Sequence, residues 1–246
     1  MSGHPNPGAS DPSAAARNQL AGLIGDAGLL RDWAHARGVL DGGAARPAAV
    51  LILFGVLDGL PAGHEAQAAA VSRDLDVLLL ERAATLRSHA GQVAFPGGRV
   101  DPGDASTVAA ALREAREETG LDPTGVEVLG ELARLPVPNS GHLVTPVLAW
   151  WSRPTPVGVV DPAESTHVFR TPVADLLDPV HRYTTVLRRD GHEWRGPGWL
   201  VTVAGVEHLV WGFTAGILDA MFDTLGWAEP WDRDRELVLG HGVGLP

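Results

Sequence analysis

Three glutamates stand close together in one short charged stretch of the chain, Arg113-Glu114-Ala115-Arg116-Glu117-Glu118-Thr119-Gly120. In a helix, which turns by about 100° per residue, Glu114, Glu117 and Glu118 fall on one face. Like charges at these spacings destabilise a helix by roughly 0.2–0.5 kcal/mol per pair. A divalent cation would offset this repulsion, and hard cations such as Mg²⁺ prefer carboxylate oxygens. The pattern therefore predicts a metal site on a helix, and the alternative interpretation is a solvated acidic face.

A glycine pair lies upstream of the glutamates, in the segment Phe95-Pro96-Gly97-Gly98. Because glycine has no Cβ, a turn at Gly97 and Gly98 lets the backbone approach a phosphate closely, and its carbonyl could bind a metal. The alternative is a tight turn without such a role. The segment is not a phosphate-binding loop of the Walker type, because the pattern Gly-x4-Gly-Lys-Ser/Thr is missing. We expect the two glycines to contact the substrate.

Gly98 and residues 113–121 together resemble the Nudix box, whose pattern is Gly-x5-Glu-x7-Arg-Glu-apolar-x-Glu-Glu-x-Gly-apolar. The resemblance implies an α/β fold of the α/β/α sandwich type with a mixed sheet, to which this chain adds an N-terminal helix. It also implies an enzyme that hydrolyses a nucleoside diphosphate linked to another group, using Mg²⁺ or Mn²⁺ held by the box glutamates. The gap from Gly98 to Arg113 is one residue longer than in the pattern. The early glutamate position is therefore Asp104 or Ala105, and Asp104 is alternatively the N-cap of the helix.

The sequence around the box resembles the coenzyme A pyrophosphatase branch of that family. The matching residues are Leu78-Leu79-Leu80-Glu81-Arg82-Ala83, Arg87, Gly91 and Phe95-Pro96-Gly97-Gly98, with Leu80 in place of a threonine, and downstream Trp211-Gly212-Phe213-Thr214-Ala215. The branch implies cleavage of coenzyme A or acyl-coenzyme A to adenosine 3′,5′-bisphosphate and (acyl-)4′-phosphopantetheine. Two alternatives stay open: a hydrolase of NADH, ADP-ribose or an oxidised nucleotide, and an inactive nucleotide sensor. The intact box glutamates argue against the sensor.

Each acidic residue of the site has an expected role. Glu114 and Glu118 are the first candidates for metal ligands, because they project from adjacent turns of the helix. Glu117 is either a third ligand or the base that deprotonates the attacking water. Arg113 is expected to pair with one of these carboxylates and fix its rotamer, with a solvent-facing ion pair as the alternative. Glu164, in a later loop, is a further candidate for metal binding or base duty, and its alternative is a solvated loop glutamate.

Arg82 and Arg87 are the candidates for binding an anionic substrate. A guanidinium matches a phosphate through two parallel hydrogen bonds, and coenzyme A carries a 3′-phosphate besides its diphosphate. The alternative for both is an ordinary surface arginine. Trp211 and Phe213 are expected in the core beside the last helix rather than as platforms on which a base stacks.

Composition narrows the class of protein. The net charge of -11 argues against a nucleic-acid binder, which normally carries a basic surface. The chain has no cysteine, which excludes disulfides, a thiolate nucleophile and cysteine-ligated zinc and favours a cytoplasmic location. No apolar run reaches the roughly 18 residues of a membrane span, and the start of the chain lacks the features of a secretory signal. The expected partner is a small nucleotide-type molecule, and a homodimer is left open.

The apolar runs and the Gly- and Pro-containing breaks between them predict four segments: a disordered tail (1–16), an N-terminal helical segment (17–45), a Nudix domain (46–228) and a C-terminal tail (229–246). Predicted strands cover 50–57, 75–80, 92–95, 126–135 and 143–151, and a hairpin joins 182–187 to 199–203. Predicted helices end at Thr119, Leu177 and Leu225. Residues 61–72 are expected to form a mobile insertion.

Overall fold

The computed structural model describes residues 12–26, 28–30, 45–56, 61–86, 89–137, 140–189 and 191–240. Its helices are α1 (Pro12–Gly22), α2 (Thr107–Thr119), α3 (Val173–Leu177) and α4 (Gly212–Thr224). Its strands are β1 (Arg46–Val56), β2 (Leu75–Arg82), β3 (Val93–Ala94), β4 (Gly97–Arg99), β5 (Val126–Glu131), β6 (Leu135–Val137), β7 (His142–Trp151), β8 (Ser165–Pro172), β9 (Arg182–Arg189), β10 (His192–Val203), β11 (Val206–Val210) and β12 (Glu236–Leu239). None of the described helices combines the length with the apolar composition that a membrane span requires.

The larger sheet is mixed, with the strand order β3-β2-β1-β7-β5. β1 and β7 run parallel, whereas β2 and β5 pair antiparallel with their neighbours, and β4, β6 and β8 add to β1, β7 and β2. Along β1, Leu51 and Leu53 enter one hydrophobic cluster while Ile52 and Phe54 enter another. All four are fully buried. The continuous apolar run of β1 is therefore that of a strand covered on both faces.

Helices cover the two faces of this sheet. On one face, α2 packs through small side chains such as Ala111 and Ala115, which let the helix approach the strands closely. On the other face, α1 contributes Leu20 and α4 contributes Ile217 and Met221 to the larger cluster. The predicted α/β/α sandwich with a mixed sheet is confirmed.

Helix α1 is tied to distant parts of the chain. It begins at Pro12, inside the segment predicted to be a disordered tail. Trp227 donates an indole hydrogen bond of 2.6 Å to the side chain of Gln19, and Arg17 pairs with Glu127 on β5. The helix ends at Gly22 and turns follow it, and residues 31–44 of the predicted helical segment lie outside the described part of the chain.

A second, smaller sheet has the order β11-β10-β9-β12. The sequence predicts the β9–β10 hairpin, but it predicts neither β8 nor β11 nor β12. Strand β12 lies within the predicted C-terminal tail, where Leu237 and Leu239 pair with β9 in parallel. Such pairing depends on backbone partners that are far away in the sequence. The local pattern of four residues therefore does not predict this strand. The division of the chain into domains stays a prediction.

The expectation of a mobile insertion at residues 61–72 is wrong, because the segment is packed into the fold. Ala62 and Ala70 are buried in the larger cluster. The buried carboxylate of Glu229 accepts hydrogen bonds from the backbone and side-chain nitrogens of Gln67 and contacts the ring of His64 at 3.1 Å. These contacts also hold Glu229, the first residue of the predicted C-terminal tail, in place.

A buried carboxyl group on β2 makes stability depend on pH. Asp76 is almost inaccessible, and its Oδ1 has no hydrogen-bond partner among the described residues. Burial raises the pKa of Asp76 from 3.8 to about 7, although Arg170 opposes the shift. The folded state therefore favours the protonated form, so the free energy of unfolding falls as pH rises through this interval.

Asp76→Asn is expected to remove this pH dependence. The neutral amide has no ionisation to penalise, so between pH 4 and 7 the variant gains stability relative to the wild type, by up to about 4 kcal/mol. Thermal unfolding as a function of pH measures the difference, with the exposed Asp234→Asn as the control. Parallel pH profiles for the wild type and Asp76→Asn would contradict the assignment.

Candidate active site

The box helix α2 begins and ends with ordinary capping residues. The Ser106 side chain caps its N-terminus by accepting a 3.1 Å hydrogen bond from Ala109 N–H. At its C-terminus, Gly120 is left-handed, with φ 71°, and its N–H donates to the Arg116 carbonyl. The N-cap role suggested for Asp104 is wrong, because this carboxylate accepts the Asp101 N–H and turns towards the side chain of Arg113.

The guanidinium of Arg113 joins the acidic groups of the site. It donates two hydrogen bonds of 2.9 Å to Asp104, one of 3.0 Å to each of Glu114 and Glu117, and one of 3.0 Å to the Arg99 carbonyl. The paired guanidinium lowers the pKa of Asp104 and keeps it ionised. Arg113 thereby fixes the rotamers of two box glutamates, while one carboxylate oxygen of each makes no hydrogen bond among the described residues.

The glycine pair is pressed against the same carboxylates. Gly97 N–H donates a 2.8 Å hydrogen bond to Glu118 Oε2. A Cβ on Gly97 would lie 2.6 Å from Val50 Cα, and a Cβ on Gly98 would overlap the carboxylate of Glu114. Strand β4 can therefore cross the acidic face of α2 at this distance because both residues are glycine.

The three box glutamates differ in exposure. The Glu118 side chain is 8% exposed, that of Glu114 is 19% exposed and that of Glu117 is 58% exposed. Burial raises the pKa of Glu118 to about 7, against the opposing effects of Gly97 N–H and Arg82. Burial also raises the pKa of Glu114, although Arg113 lowers it. Carboxylates held close together and partly desolvated form a set of hard oxygen donors that suits a divalent cation.

A bulge sets the direction of Arg82. Glu81 lies opposite His167 in the β2–β8 ladder, but the next residue, Arg82, lies opposite Ser165, so Thr166 is the extra residue on β8. A bulge bends the strand and can re-aim a side chain. Here the Arg82 guanidinium lies 3.7 Å from the buried Glu118, while its Nε is buried without a hydrogen-bond partner in the described structure.

Glu164 lies two residues before the extra residue of the bulge, Thr166, and directly before β8. Its carbonyl accepts a 2.8 Å hydrogen bond from Ala83 N–H, which fixes its backbone beside the end of β2. The side chain is exposed, and its charge lies close enough to Glu118 to contribute to the raised pKa of that group. The structure thus brings Glu164 near the box glutamates. The other arginine candidate, Arg87, lies outside the described residues.

A cavity of about 580 Å³ opens next to these groups. Its wall includes Gly97 and Gly98, three arginines and the aromatic side chains of one tryptophan and two phenylalanines: Arg46, Arg82, Arg99, Trp211, Phe95 and Phe213. Trp211 is buried and Phe213 packs on the hydrophobic core, as expected, but both also face the cavity. The sequence did not single out Arg46 or Arg99. Arg99 follows the glycine pair directly, which could have identified it, whereas Arg46 reaches the cavity through the pairing of distant strands.

Gly98→Ala is expected to lower both Mg²⁺ affinity and the rate of diphosphate hydrolysis. The added methyl group occupies the place of the Glu114 carboxylate, and a displacement of about 1 Å at such a site costs about 100-fold in rate. Calorimetric Mg²⁺ titration and initial rates measure the effect. Gly103→Ala, in the loop after β4 and with open space around it, is the control. Equal rates for the two variants would show that the close approach of Gly98 is unimportant.

The chain is similar to several known proteins. A family model described as the NUDIX domain matches residues 63–184. An uncharacterized Nudix hydrolase NudL from Photorhabdus laumondii is 43% identical over 146 residues, which cover 58% of this chain and 73% of that protein. NudL from Escherichia coli O1:K1 is 43% identical over 176 residues, covering 68% and 76%. A solved Nudix hydrolase from M. smegmatis, RenU, is 24% identical, with a TM-score of 0.39 and coverage of 52% and 70%.

The family model spans the glycine pair, the box helix and Glu164, and the two NudL relatives are covered over more than two thirds of their length. The chain therefore belongs to the Nudix family and is a hydrolase of the pyrophosphate bond in nucleoside diphosphate derivatives.

Proposed function

We propose that this Nudix hydrolase cleaves the diphosphate link of coenzyme A or acyl-coenzyme A, releasing adenosine 3′,5′-bisphosphate and (acyl-)4′-phosphopantetheine. The observation that carries the proposal is the arginine-lined cavity beside the box glutamates. Arg82 lies between the two, because it lines the cavity and also faces Glu118. In a chain of net charge -11, local arginines are needed to attract a polyanionic substrate. The resemblance of residues 78–98 to the coenzyme A branch supplies the choice of substrate.

Glu114, Glu118 and Glu117 are proposed to hold Mg²⁺ or Mn²⁺. Their oxygen donors suit these ions, and the oxygens of Glu114 and Glu117 that do not contact Arg113 are available for binding. When bound, a divalent cation screens the negative oxygens of the diphosphate and lowers the pKa of a coordinated water. Arg113 contributes by keeping two of the carboxylates in fixed orientations.

Glu117 and Glu164 are the two candidates for the base that accepts a proton from the attacking water. Glu117 is exposed towards solvent and bound on one oxygen by Arg113. Glu164 is exposed as well, and its neighbour across the strands, Ala83, fixes its backbone. Metal binding is the alternative role for Glu164, and its closeness to Glu118 is compatible with that role.

Arg82 is proposed to bind a phosphate group of the substrate. Its buried Nε donor makes no hydrogen bond within the described residues, and its contact with Glu118 is long for a hydrogen bond. An unsatisfied buried donor is costly, and a phosphate oxygen would satisfy it. Arg87 shares this proposed role through its place in the branch signature. A cytoplasmic location and a homodimer also remain predictions.

Glu118→Gln tests the metal assignment. The amide keeps the shape but removes the charge, so kcat is expected to fall by more than about 100-fold, exceeding the 10- to 100-fold typical of residues that merely support a metal ligand. The fold should survive, because the wild-type carboxyl is buried at an energetic disadvantage. Initial rates at saturating Mg²⁺ and thermal unfolding provide the measurement, with the exposed Glu131→Gln as the control. Near-wild-type turnover of Glu118→Gln would refute the assignment.

Arg82→Gln and Arg87→Gln test the substrate. If either arginine binds the 3′-phosphate, its loss lowers kcat/KM for coenzyme A about tenfold or more relative to 3′-dephospho-coenzyme A, because a charge-assisted hydrogen bond contributes roughly 1.5–3 kcal/mol. The ratio between the two substrates cancels any general damage to the contact of Arg82 with Glu118. Arg188→Gln, on the exposed part of β9, controls for overall charge.

General attraction would weaken both substrates alike and would fade with added salt. A constant ratio in both arginine variants would therefore remove the support for 3′-phosphate recognition. A substrate panel with Mg²⁺ and with Mn²⁺, in which the products are identified, would then decide among NADH, ADP-ribose and oxidised nucleotides.

A further inference from the structure

A second group of metal-binding side chains lies on the strands next to the site. Glu81 on β2 and His167 on β8 are direct partners in the antiparallel ladder, so their side chains emerge on the same face. His208, from β11 of the smaller sheet, reaches the same point. The three residues thus come from both sheets and from separate parts of the sequence.

The distances within this cluster are those of ligands around one ion. Glu81 Oε2 lies 2.8 Å from His208 Nδ1 and 3.6 Å from His167 Nδ1. One donor atom from each residue lies within 4.8 Å of the other two. Ligands bound tetrahedrally at about 2.0–2.1 Å from a zinc ion are about 3.3 Å apart, and the two separations lie on either side of that value.

The hydrogen bonds alone do not account for the arrangement. His208 is 2% exposed, stacks on Phe169 with 4.0 Å between ring centroids, and is satisfied at Nδ1 by Glu81. His167 Nδ1 is also buried and points towards the same carboxylate, but no hydrogen-bond partner is found for it among the described residues. Buried polar atoms normally have a partner. A cation shared by the three side chains would supply it.

We propose that Glu81, His167 and His208 form a binding site for a divalent transition-metal ion, and that the preferred ion is Zn²⁺. Two imidazole nitrogens and one carboxylate favour zinc over Mg²⁺, which prefers oxygen alone. The site is thereby chemically distinct from the box glutamates. The His167 side chain is 44% exposed, which gives the ion a path from solvent and leaves a fourth position for water.

The position of the cluster indicates what bound zinc would do. It joins β11 of the smaller sheet to the β2–β8 pair of the larger one, at the residue before Arg82. Because Arg82 lies across the bulge from this point, an ion at Glu81 would stiffen the strand end from which Arg82 projects. The inference does not rest on the choice of coenzyme A as substrate.

Zinc titration of the untagged full-length protein tests the site. With Mg²⁺ in millimolar excess to saturate the box, the wild type should bind one Zn²⁺ per chain and show a raised Tm, and Co²⁺ substitution should give visible d–d absorption. His167→Ala should bind Zn²⁺ at least about tenfold more weakly and lose the absorption and the rise in Tm. Glu81→Gln, which keeps its shape and its contact with His208, should also weaken binding.

Two controls separate this site from other ions and other histidines. His192→Ala removes an exposed histidine of the smaller sheet and should bind zinc like the wild type. Glu118→Gln disables the box and should leave zinc binding intact. Unchanged zinc affinity in His167→Ala, no zinc retained by the wild type against Mg²⁺, or loss of zinc in Glu118→Gln with retention in His167→Ala would each overturn the proposal.

Discussion

Three carboxylates on one helical face repel one another, and the candidate site depends on the fixed positive charge that Arg113 places among them. The guanidinium uses its donors on Asp104, Glu114, Glu117 and the carbonyl of Arg99, so one side chain joins α2, the preceding loop and β4. A lysine could not reproduce this planar set of contacts. The glycine pair follows from the same constraint, because the strand must lie close to carboxylates that Arg113 has already oriented.

Strand β2 connects this arrangement to the cavity. Its last two residues, Glu81 and Arg82, point to different neighbours because the bulge on β8 interrupts the ladder between them. One contacts histidines of both sheets, and the other contacts the buried Glu118 and the cavity. A single irregular pairing therefore separates the residue that faces Glu118 and the cavity from the residue that joins the two sheets.

The sequence predicts those parts of the molecule that local patterns determine. The box helix, the buried strand β1 and the glycine turn follow from periodicity and residue type, and the sandwich follows from the family resemblance. The N-cap role suggested for Asp104 is wrong, because a serine two residues later caps the helix and leaves the carboxylate for Arg113. The sequence does not predict contacts between distant segments. Examples are the position of Arg46 at the cavity, strand β12, and the hydrogen bonds between Glu229 and residues 61–72. Each depends on tertiary pairing that no local window contains.

The hydrogen bond between Gln19 and Trp227 has a consequence for how the protein is made. The two residues are 208 positions apart, and Leu20 is buried in the cluster that includes Trp227. A ribosome adds roughly 5–20 residues per second, so α1 waits about 10–40 s for its partner to be synthesised. During that time its apolar side chains lack their final cover. Helix α1 therefore finds its place late among the described elements, and a nascent chain exposes it to chaperones until Trp227 has been made.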